Sequence, residues 1–356
     1  MKGTVIDEVW VELVDVPAQP PFRWRNGLPG AEPAHRGGVL CVRTRDGVVG
    51  RAPTSRGVIA ADLVARRVRD ELIGRDALHR ELLWHRMWEL DRIEEFPVYF
   101  LGLADVALWD IAGQLAGLPV HQLLGTYRTE IPAYASTVTY GSVEEYLDIA
   151  DQCVERGFAA IKLHAWGDAR RDAKLARRLR EHLGDDYVLM YDGSAGFDLA
   201  DAVLLGRALS DTGFLWYEEP MREFNVTSHQ WLAQRVSVPL LVGETSDGAH
   251  LATADFIHSG AAAHVRTSAA FKGGVTGAMR IAHLADSFGL RAEVHGMGAA
   301  SQHLCMAIRN TSFYEALVWG NPIATDAAVG PDGMVPAPTG PGMSGVGEAL
   351  TNGQIS

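Results

Sequence analysis

The chain has 356 residues, 47% of them hydrophobic and 21% charged, with a formal net charge of −12. That is an ordinary globular composition, long enough for one large domain or two modest ones around a sizeable core. The acidic balance leaves no basic stripe for phosphates and excludes a nucleic-acid surface, while an acidic chain can still take an anionic substrate if a metal supplies local positive charge. No apolar run approaches the about 18 residues needed to span a bilayer. Cys41, Cys153 and Cys305 are scattered, without a CxxC pair, which suits a reducing compartment. The opening Met1-Lys2-Gly3-Thr4-Val5-Ile6-Asp7 acquires charge too early for a signal peptide, so a cytoplasmic location is expected.

Residues 9–14 and 38–44 are rich in β-branched side chains and predict strands, and Asp46-Gly47 reads as a hairpin turn. Between the two strands, residues 17–33 form a Pro/Gly/Arg-rich loop too long for a mere connection. It carries Arg23, Trp24 and Arg25, and Trp24 and Arg25 are candidate substrate contacts. Helical spacing follows over residues 60–90 and again over 99–115, the second with an apolar stripe of Leu101, Leu103, Ala104, Ala107, Leu108 and Ile111. Strands followed by helices predict an α+β domain over residues 1–126.

From residue 127 to about 320 a strand–helix beat takes over. Residues 131–137 predict a first strand and 143–156 a helix stopped by Gly157. Asp168 is a plausible N-cap for the next helix, whose Leu175, Leu179 and Leu183 recur every four residues before Gly184. Six apolar runs end on polar residues at a common position: Lys162 with His164, Asp192, Glu218, Glu244, Ser268 and His295. From Lys162 the gaps are 30, 26, 26, 24 and 27 residues, the length of one strand and one returning helix. In a (β/α)-barrel these positions face one another across the carboxyl-terminal mouth. After Asn321 the chain turns Pro/Gly/Asn-rich, and residues 321–356 are expected to return to the first domain.

A single strand-end acid is usually a surface residue, but three at equal spacing pointing into one mouth repel one another unless a cation joins them. Asp192, Glu218 and Glu244 offer oxygen only, which selects Mg²⁺ first and Mn²⁺ second. Such an ion suits removal of a proton α to a carboxylate, whose anion needs charge neutralisation. Lys162 with His164 on one side and His295 on the other are candidate bases, with the pKa of Lys162 expected to be lowered towards neutrality. Lys272, four residues beyond Ser268, is expected to be solvated.

Trp216-Tyr217-Glu218-Glu219-Pro220, Gly243-Glu244 and Gly273-Gly274-Val275-Thr276-Gly277 resemble motifs of the enolase superfamily, mandelate racemase/muconate lactonizing enzyme-like branch. So does Ala104-Asp105-Val106-Ala107-Leu108-Trp109-Asp110-Ile111-Ala112-Gly113 in the first domain, and the resemblance covers nearly the whole chain. It implies an α+β capping domain, a (β/α)7β barrel and Mg²⁺-dependent α-proton abstraction. It also implies that Asp192, Glu218 and Glu244 bind the metal, that Lys162 and His295 are the bases, and that Glu315 contacts the substrate carboxylate as a protonated acid of raised pKa. Two positions depart from the pattern. His164 replaces the second Lys of the Lys-x-Lys motif, and Ser268, also a candidate substrate contact, replaces the acid that partners His295. Without that acid His295 should be largely neutral at pH 7.

The preferred reading is dehydration of a sugar acid to a 2-keto-3-deoxy acid. Racemisation or epimerisation of a 2-hydroxy acid is the alternative, followed by a metal-binding homologue of impaired activity. Gly296-Met297-Gly298-Ala299-Ala300-Ser301 superficially resembles a dinucleotide fingerprint but has Ser for the third glycine. The expected partners are a small-molecule carboxylate and, in a homo-oligomer, further copies of the chain; neither nucleic acid nor membrane is expected.

Overall fold

Antiparallel pairing begins the chain. In the computed structural model, which describes residues 3–96 and 98–344, β1 (Ile6–Val16) runs against β4 (His35–Thr44), and β4 against β5 (Val49–Thr54). The β4–β5 hairpin turns at Asp46-Gly47, where Gly47 has φ 83° and its amide donates to the Thr44 carbonyl, a backbone shape that favours glycine. The loop between β1 and β4 carries a small hairpin of its own, β2 (Arg23–Arg25) against β3 (Leu28–Pro29).

The helix expected over residues 60–90 is broken. α1 (Gly57–Leu63) passes through a π turn at Val64–Val68 into α2 (Arg69–Leu72), and the chain leaves the helix at Ile73 (ψ 137°) and Gly74 (φ 80°). Pairing with the start of the chain imposes the break: the amides of Gly74 and Ala77 donate to the carbonyls of Ile6 and Thr4, and that of Ile6 to Arg75. Side-chain periodicity cannot register a backbone partner seventy residues away. Helix resumes as α3 (Arg80–Glu94), α4 (Val98–Ala116) and the short α5 (Val120–Leu124).

Beyond residue 130 the beat is regular. Eight parallel strands form a nearly closed barrel: β6 (Glu130–Ser136), β7 (Ala160–His164), β8 (Val188–Asp192), β9 (Tyr217–Glu218), β10 (Leu240–Val242), β11 (His264–Thr267), β12 (Arg291–Val294) and β13 (Tyr314–Leu317). They neighbour one another in chain order, with β13 beside β6. One helix returns between each pair: α6 (Val143–Glu155), α7 (Ala169–Leu183), α8 (Leu199–Asp211), α9 (Val226–Ala233), α10 (Ala249–His258), α11 (Gly274–Ser287) and α12 (Ala299–Ala307). This is the (β/α)7β barrel with an N-terminal α+β domain that the sequence predicts. Local chemistry sets the helix ends, as where the Asp168 carboxylate accepts the amides of Arg170 and Arg171 at the start of α7.

Past residue 320, β14 (Met334–Pro336) adds antiparallel to the start of β6. Gly342 then bridges to Pro119, and the Met343 amide donates to Asp110 in α4. Residues 345–356 of this segment lie outside the described residues. Among the described residues no helix is long and apolar enough to cross a membrane.

The first domain docks on the barrel through α4. A β-carbon on Gly102 would stand 2.4 Å from the Ala269 carbonyl oxygen, so only glycine lets α4 touch the loop after β11. One turn on, buried Asp105 accepts the Thr276 amide (2.9 Å) and hydroxyl (2.6 Å), and Trp109 Nε1 donates to the same hydroxyl (2.9 Å). Burial lifts Asp105 to about 7 in spite of these bonds.

Because the folded pKa of Asp105 exceeds its ordinary 3.8, the folded chain binds more protons than the unfolded one between those values. Its contribution to stability is therefore full at low pH and declines as pH rises through about 7. Asp105→Asn should remove that part of the pH slope, whereas Asp105→Ala should cost about 1–3 kcal/mol by leaving the Thr276 amide unmatched. Urea unfolding of the three proteins across this pH range checks both. An unaltered slope in Asp105→Asn would contradict the assignment.

Candidate active site

The pleat of the barrel strands builds the site. Alternate residues face inward, and one inward layer, Tyr134, Ala160, Met190, Trp216 and Leu241, packs as an apolar cluster of its own. Two residues further along β6, β7, β8 and β9 stand Ser136, Lys162, Asp192 and Glu218. With His164, Glu244, His295 and Glu315 they make a polar layer on this apolar floor. A cavity of ≈ 390 Å³ opens above it.

Asp192, Glu218 and Glu244 each place one carboxylate oxygen within 4.8 Å of the others. Glu244 Oε2 is buried with no hydrogen-bond partner. Burial, with Glu219, Glu218 and Asp192 nearby, pushes Glu244 well above the ordinary carboxylate range. Burial works on Asp192 in the same direction, but His164 and Lys162 beside it hold it below its ordinary value. A buried carboxylate oxygen with no hydrogen bond, its nearest cation Arg266 Nε at 3.9 Å, facing two other carboxylates, fits a hard, oxygen-ligated divalent cation.

Lys162 Nζ lies 3.1 Å from Asp192 Oδ2, 3.0 Å from Glu218 Oε2 and 2.8 Å from Glu315 Oε1. Burial works to lower its pKa, but Glu218, Glu315, Tyr134 and Asp192 outweigh burial and hold it well above the ordinary lysine value. That is opposite to the lowering expected from the sequence. Glu315 needs the same kind of correction. Burial favours its neutral form, yet Lys162, Arg266 and His295 hold it well below the usual range, so it is ionised rather than a protonated acid.

Arg266, on β11, is a functional-site residue that the sequence reading missed. It is 1% exposed and grips both oxygens of Glu218 with its guanidinium fork, Nη2 reaching Oε2 at 2.7 Å. Nη2 also donates to the Tyr134 hydroxyl (2.9 Å) and lies 3.8 Å from Glu315 Oε2. Parity could have found it: Arg266 precedes Ser268 by two, as Lys162 precedes His164, so both face inward.

His164 Nδ1 donates to the Thr137 carbonyl (2.7 Å), which turns Nε2 to Asp192 Oδ2 at 3.1 Å. On the opposite flank His295 Nε2 stands 3.3 Å from Glu244 Oε1 and 3.9 Å from Glu315 Oε2, and its ring stacks on Phe271. Burial pulls His295 down to about 4, so it is neutral at pH 7. Ser268 neither bonds to His295 nor lines the cavity; its hydroxyl accepts the Phe271 amide at 3.0 Å. Lys272 is buried rather than solvated, donating to the Ser246 carbonyl and hydroxyl.

The small hairpin of the first domain covers the mouth. Trp24 lines the cavity, with its ring 4.7 Å from that of His164. Arg25 does not line it but ties the hairpin to the loop after β8, donating from Nε to the Ser194 carbonyl (3.1 Å). The Asn26 amide donates to the Trp166 carbonyl, and the Thr139 amide to that of Arg23. Gly296-Met297-Gly298 links β12 to α12 inside the barrel, with the Gly296 amide on Glu315 Oε2. It is not part of an open dinucleotide-binding sheet.

Residues 145–346 match the family model described as enolase C-terminal domain-like. Residues 34–125 match that of the mandelate racemase/muconate lactonizing enzyme N-terminal domain. L-talarate/galactarate dehydratase of Salmonella typhimurium is 27% identical over 79% of this chain and 73% of its own length. 3,6-Anhydro-alpha-L-galactonate cycloisomerase of Streptomyces coelicolor is 25% identical over 95% of this chain and 96% of its own. Among solved structures, D-glucarate dehydratase from Agrobacterium tumefaciens complexed with magnesium has a TM-score of 0.88 and 32% identity, covering 96% of each chain.

Arg266→Met strips Glu218 of its fork in a dry interior and should cost about 3–5 kcal/mol of stability. Replacing both partners, as Arg266→Met with Glu218→Met, should recover most of that loss. Denaturant unfolding of the single and double variants is the measurement; a double variant less stable than Arg266→Met would rule out the pairing as the source.

Proposed function

This chain belongs to the mandelate racemase/muconate lactonizing enzyme-like branch of the enolase superfamily, and from that premise we propose that it abstracts the proton α to a carboxylate with the help of Mg²⁺, dehydrating a sugar acid to a 2-keto-3-deoxy acid. The observation that carries the reading is the flanking of one acidic triad by two proton carriers. Lys162 and His295 line the same cavity from β7 and from the end of β12, on either side of Glu315. Several relatives are named as dehydratases of sugar acids, which supports the same reading.

Asp192, Glu218 and Glu244 would hold the Mg²⁺, whose positive charge offsets the negative charge developing on the substrate carboxylate. Lys162 is protonated in the free protein, so it must give up a proton before Nζ can take the α-proton, and a cation bound among its three acid partners would move it in that direction. His164, facing Asp192, orients that ligand. His295 stands where it can assist departure of the β-hydroxyl. It is neutral in the free protein, so it must gain a proton to act as the acid, and a bound anionic substrate beside it moves it in that direction. Trp24 closes the mouth and limits water. Racemisation or epimerisation would draw on the same opposed groups. The cycloisomerase and racemase relatives keep it as the second reading.

The test is a screen of acid sugars with Mg²⁺, detecting 2-keto acid product and following solvent deuterium at the α-carbon by NMR. Lys162→Ala should lower α-hydrogen exchange by about a hundredfold to ten-thousandfold, and His295→Asn should stop dehydration while exchange continues. Exchange at the wild-type rate in Lys162→Ala would transfer the role of base to His164 or His295. Chelator should abolish turnover and added Mg²⁺ restore it; full activity in excess chelator would sink the metal assignment.

A further inference from the structure

We propose that Arg222 is the binding site for a second carboxylate at the far end of the substrate, and hence that the substrate is a sugar diacid rather than a sugar monoacid. The inference rests on the acid-sugar reading above and narrows it.

Arg222 lines the same cavity as Lys162 and Glu244, four residues past Glu218 on the segment between β9 and α9. The other strong cations of the site already have partners: Lys162 has Asp192, Glu218 and Glu315, and Arg266 has Glu218 and Tyr134. Arg25 is occupied by the Ser194 carbonyl. Arg222 is exposed, and its guanidinium has no hydrogen bond or ion pair to any described residue, although the cavity contains Asp192, Glu219, Glu244 and Glu315. It is therefore the cation in the cavity left available to a ligand.

The segment holding it is built rather than loose. Next to Arg222, Glu223 is buried and accepts the amides of Gly243, Thr245 and Ser246. That anchors the chain on the barrel and leaves Arg222 at the cavity wall. Three non-glycine residues of the same wall, Ser194, Ala195 and Glu219, have φ of 45°, 52° and 37°. The Ala195 amide donates to the Glu219 carbonyl and so joins the two strained segments (2.8 Å). Left-handed backbone at ordinary residues persists where the surroundings over-determine it, most often beside ligands.

Chemistry selects the occupant. A guanidinium fork matches a carboxylate with two parallel charge-assisted bonds. The hydroxymethyl terminus of a monoacid offers a neutral oxygen and leaves most of the fork unused. With the reacting carboxylate at the acidic triad, the second carboxylate of a diacid has Arg222 to meet.

The experiment compares kcat/KM for C6 aldarates (glucarate, galactarate, mannarate) with the matched aldonates, in the wild type, Arg222→Gln and Arg222→Lys. The wild type should favour diacids, and Arg222→Gln should reduce the diacid-to-monoacid ratio by roughly tenfold to a hundredfold, mainly through KM. Arg222→Lys should restore part of it. A wild type that prefers aldonates, or an Arg222→Gln ratio equal to the wild type's, would overturn the diacid assignment while leaving the acid-sugar reading intact. Absence of both turnover and α-hydrogen exchange on every acid would overturn that reading and this one together.

Discussion

Five carboxylates, Asp192, Glu218, Glu219, Glu244 and Glu315, meet at the mouth of the barrel, and the surrounding structure is arranged to hold them there. Two like charges 4 Å apart repel by about 4 kcal/mol at the effective dielectric of a protein surface. The protein offsets this in two ways. Lys162 and Arg266 lie among the acids and are fully paired with them. Glu219, pushed up to about 8 by burial, Asp192 and Glu223, takes a proton and gives up its charge. Glu244 is pushed upward too, and its Oε2, with no hydrogen bond and Arg266 Nε no nearer than 3.9 Å, is left the least compensated. A divalent cation answers that last need, which is why the metal reading follows from charge balance as well as from kinship.

The same acids explain why the first domain must be fixed so firmly. A pocket of this charge open to water would let solvent screen the interactions that catalysis depends on. The hairpin carrying Trp24 covers the mouth, but two strands of three and two residues have little stability of their own. It is held by backbone bonds to Thr139 and Trp166 and by Arg25 on Ser194, which makes one object of the hairpin and the loops after β6, β7 and β8. Farther round the rim, α4 presses on the loop after β11 through Gly102 and Asp105. The cap and the catalytic loops therefore share contacts, and a change in either reaches the cavity.

How much of this was legible from the sequence depended on range. The barrel was readable because each βα unit repeats one length and ends on a polar residue, so that spacing alone brought Lys162, Asp192, Glu218, Glu244 and His295 to one end. The break at Ile73-Gly74 was not readable, since its cause is pairing with Thr4 and Ile6. Protonation states misled for a related reason. Burial and a metal would govern Lys162 and Glu315 if each stood alone, whereas Lys162 answers first to Glu218 and then to Glu315 at 2.8 Å, and Glu315 first to Lys162 and then to Arg266. Arg266 itself is hidden from a reading of strand ends, because the pleat also presents the residue two before each end. Lys272 looks like a solvated lysine on a turn, yet its burial depends on Ser246, which arrives from the neighbouring βα unit.

Ser268 in place of an acid makes sense once the loop after β10 is considered. With no carboxylate at the end of β11, His295 is placed by its backbone amide on Thr267 and by stacking on Phe271, whose own amide is capped by Ser268. Ser268 thus acts on the histidine at one remove, through the ring that covers it. The loop bearing Glu244 is fixed just as indirectly. Glu223 accepts three of its amides, and Lys272 donates to its Ser246 carbonyl. Hydrogen bonds to charged groups contribute about 1.5–3 kcal/mol each, so a loop of a few residues is held by several such bonds before any ligand arrives. Glu244 is consequently presented with one oxygen facing His295 and the other free of hydrogen bonds, without spending binding energy to order the loop. The buried lysine and the buried glutamate that take no part in proton transfer set the position of the one carboxylate that most needs a cation.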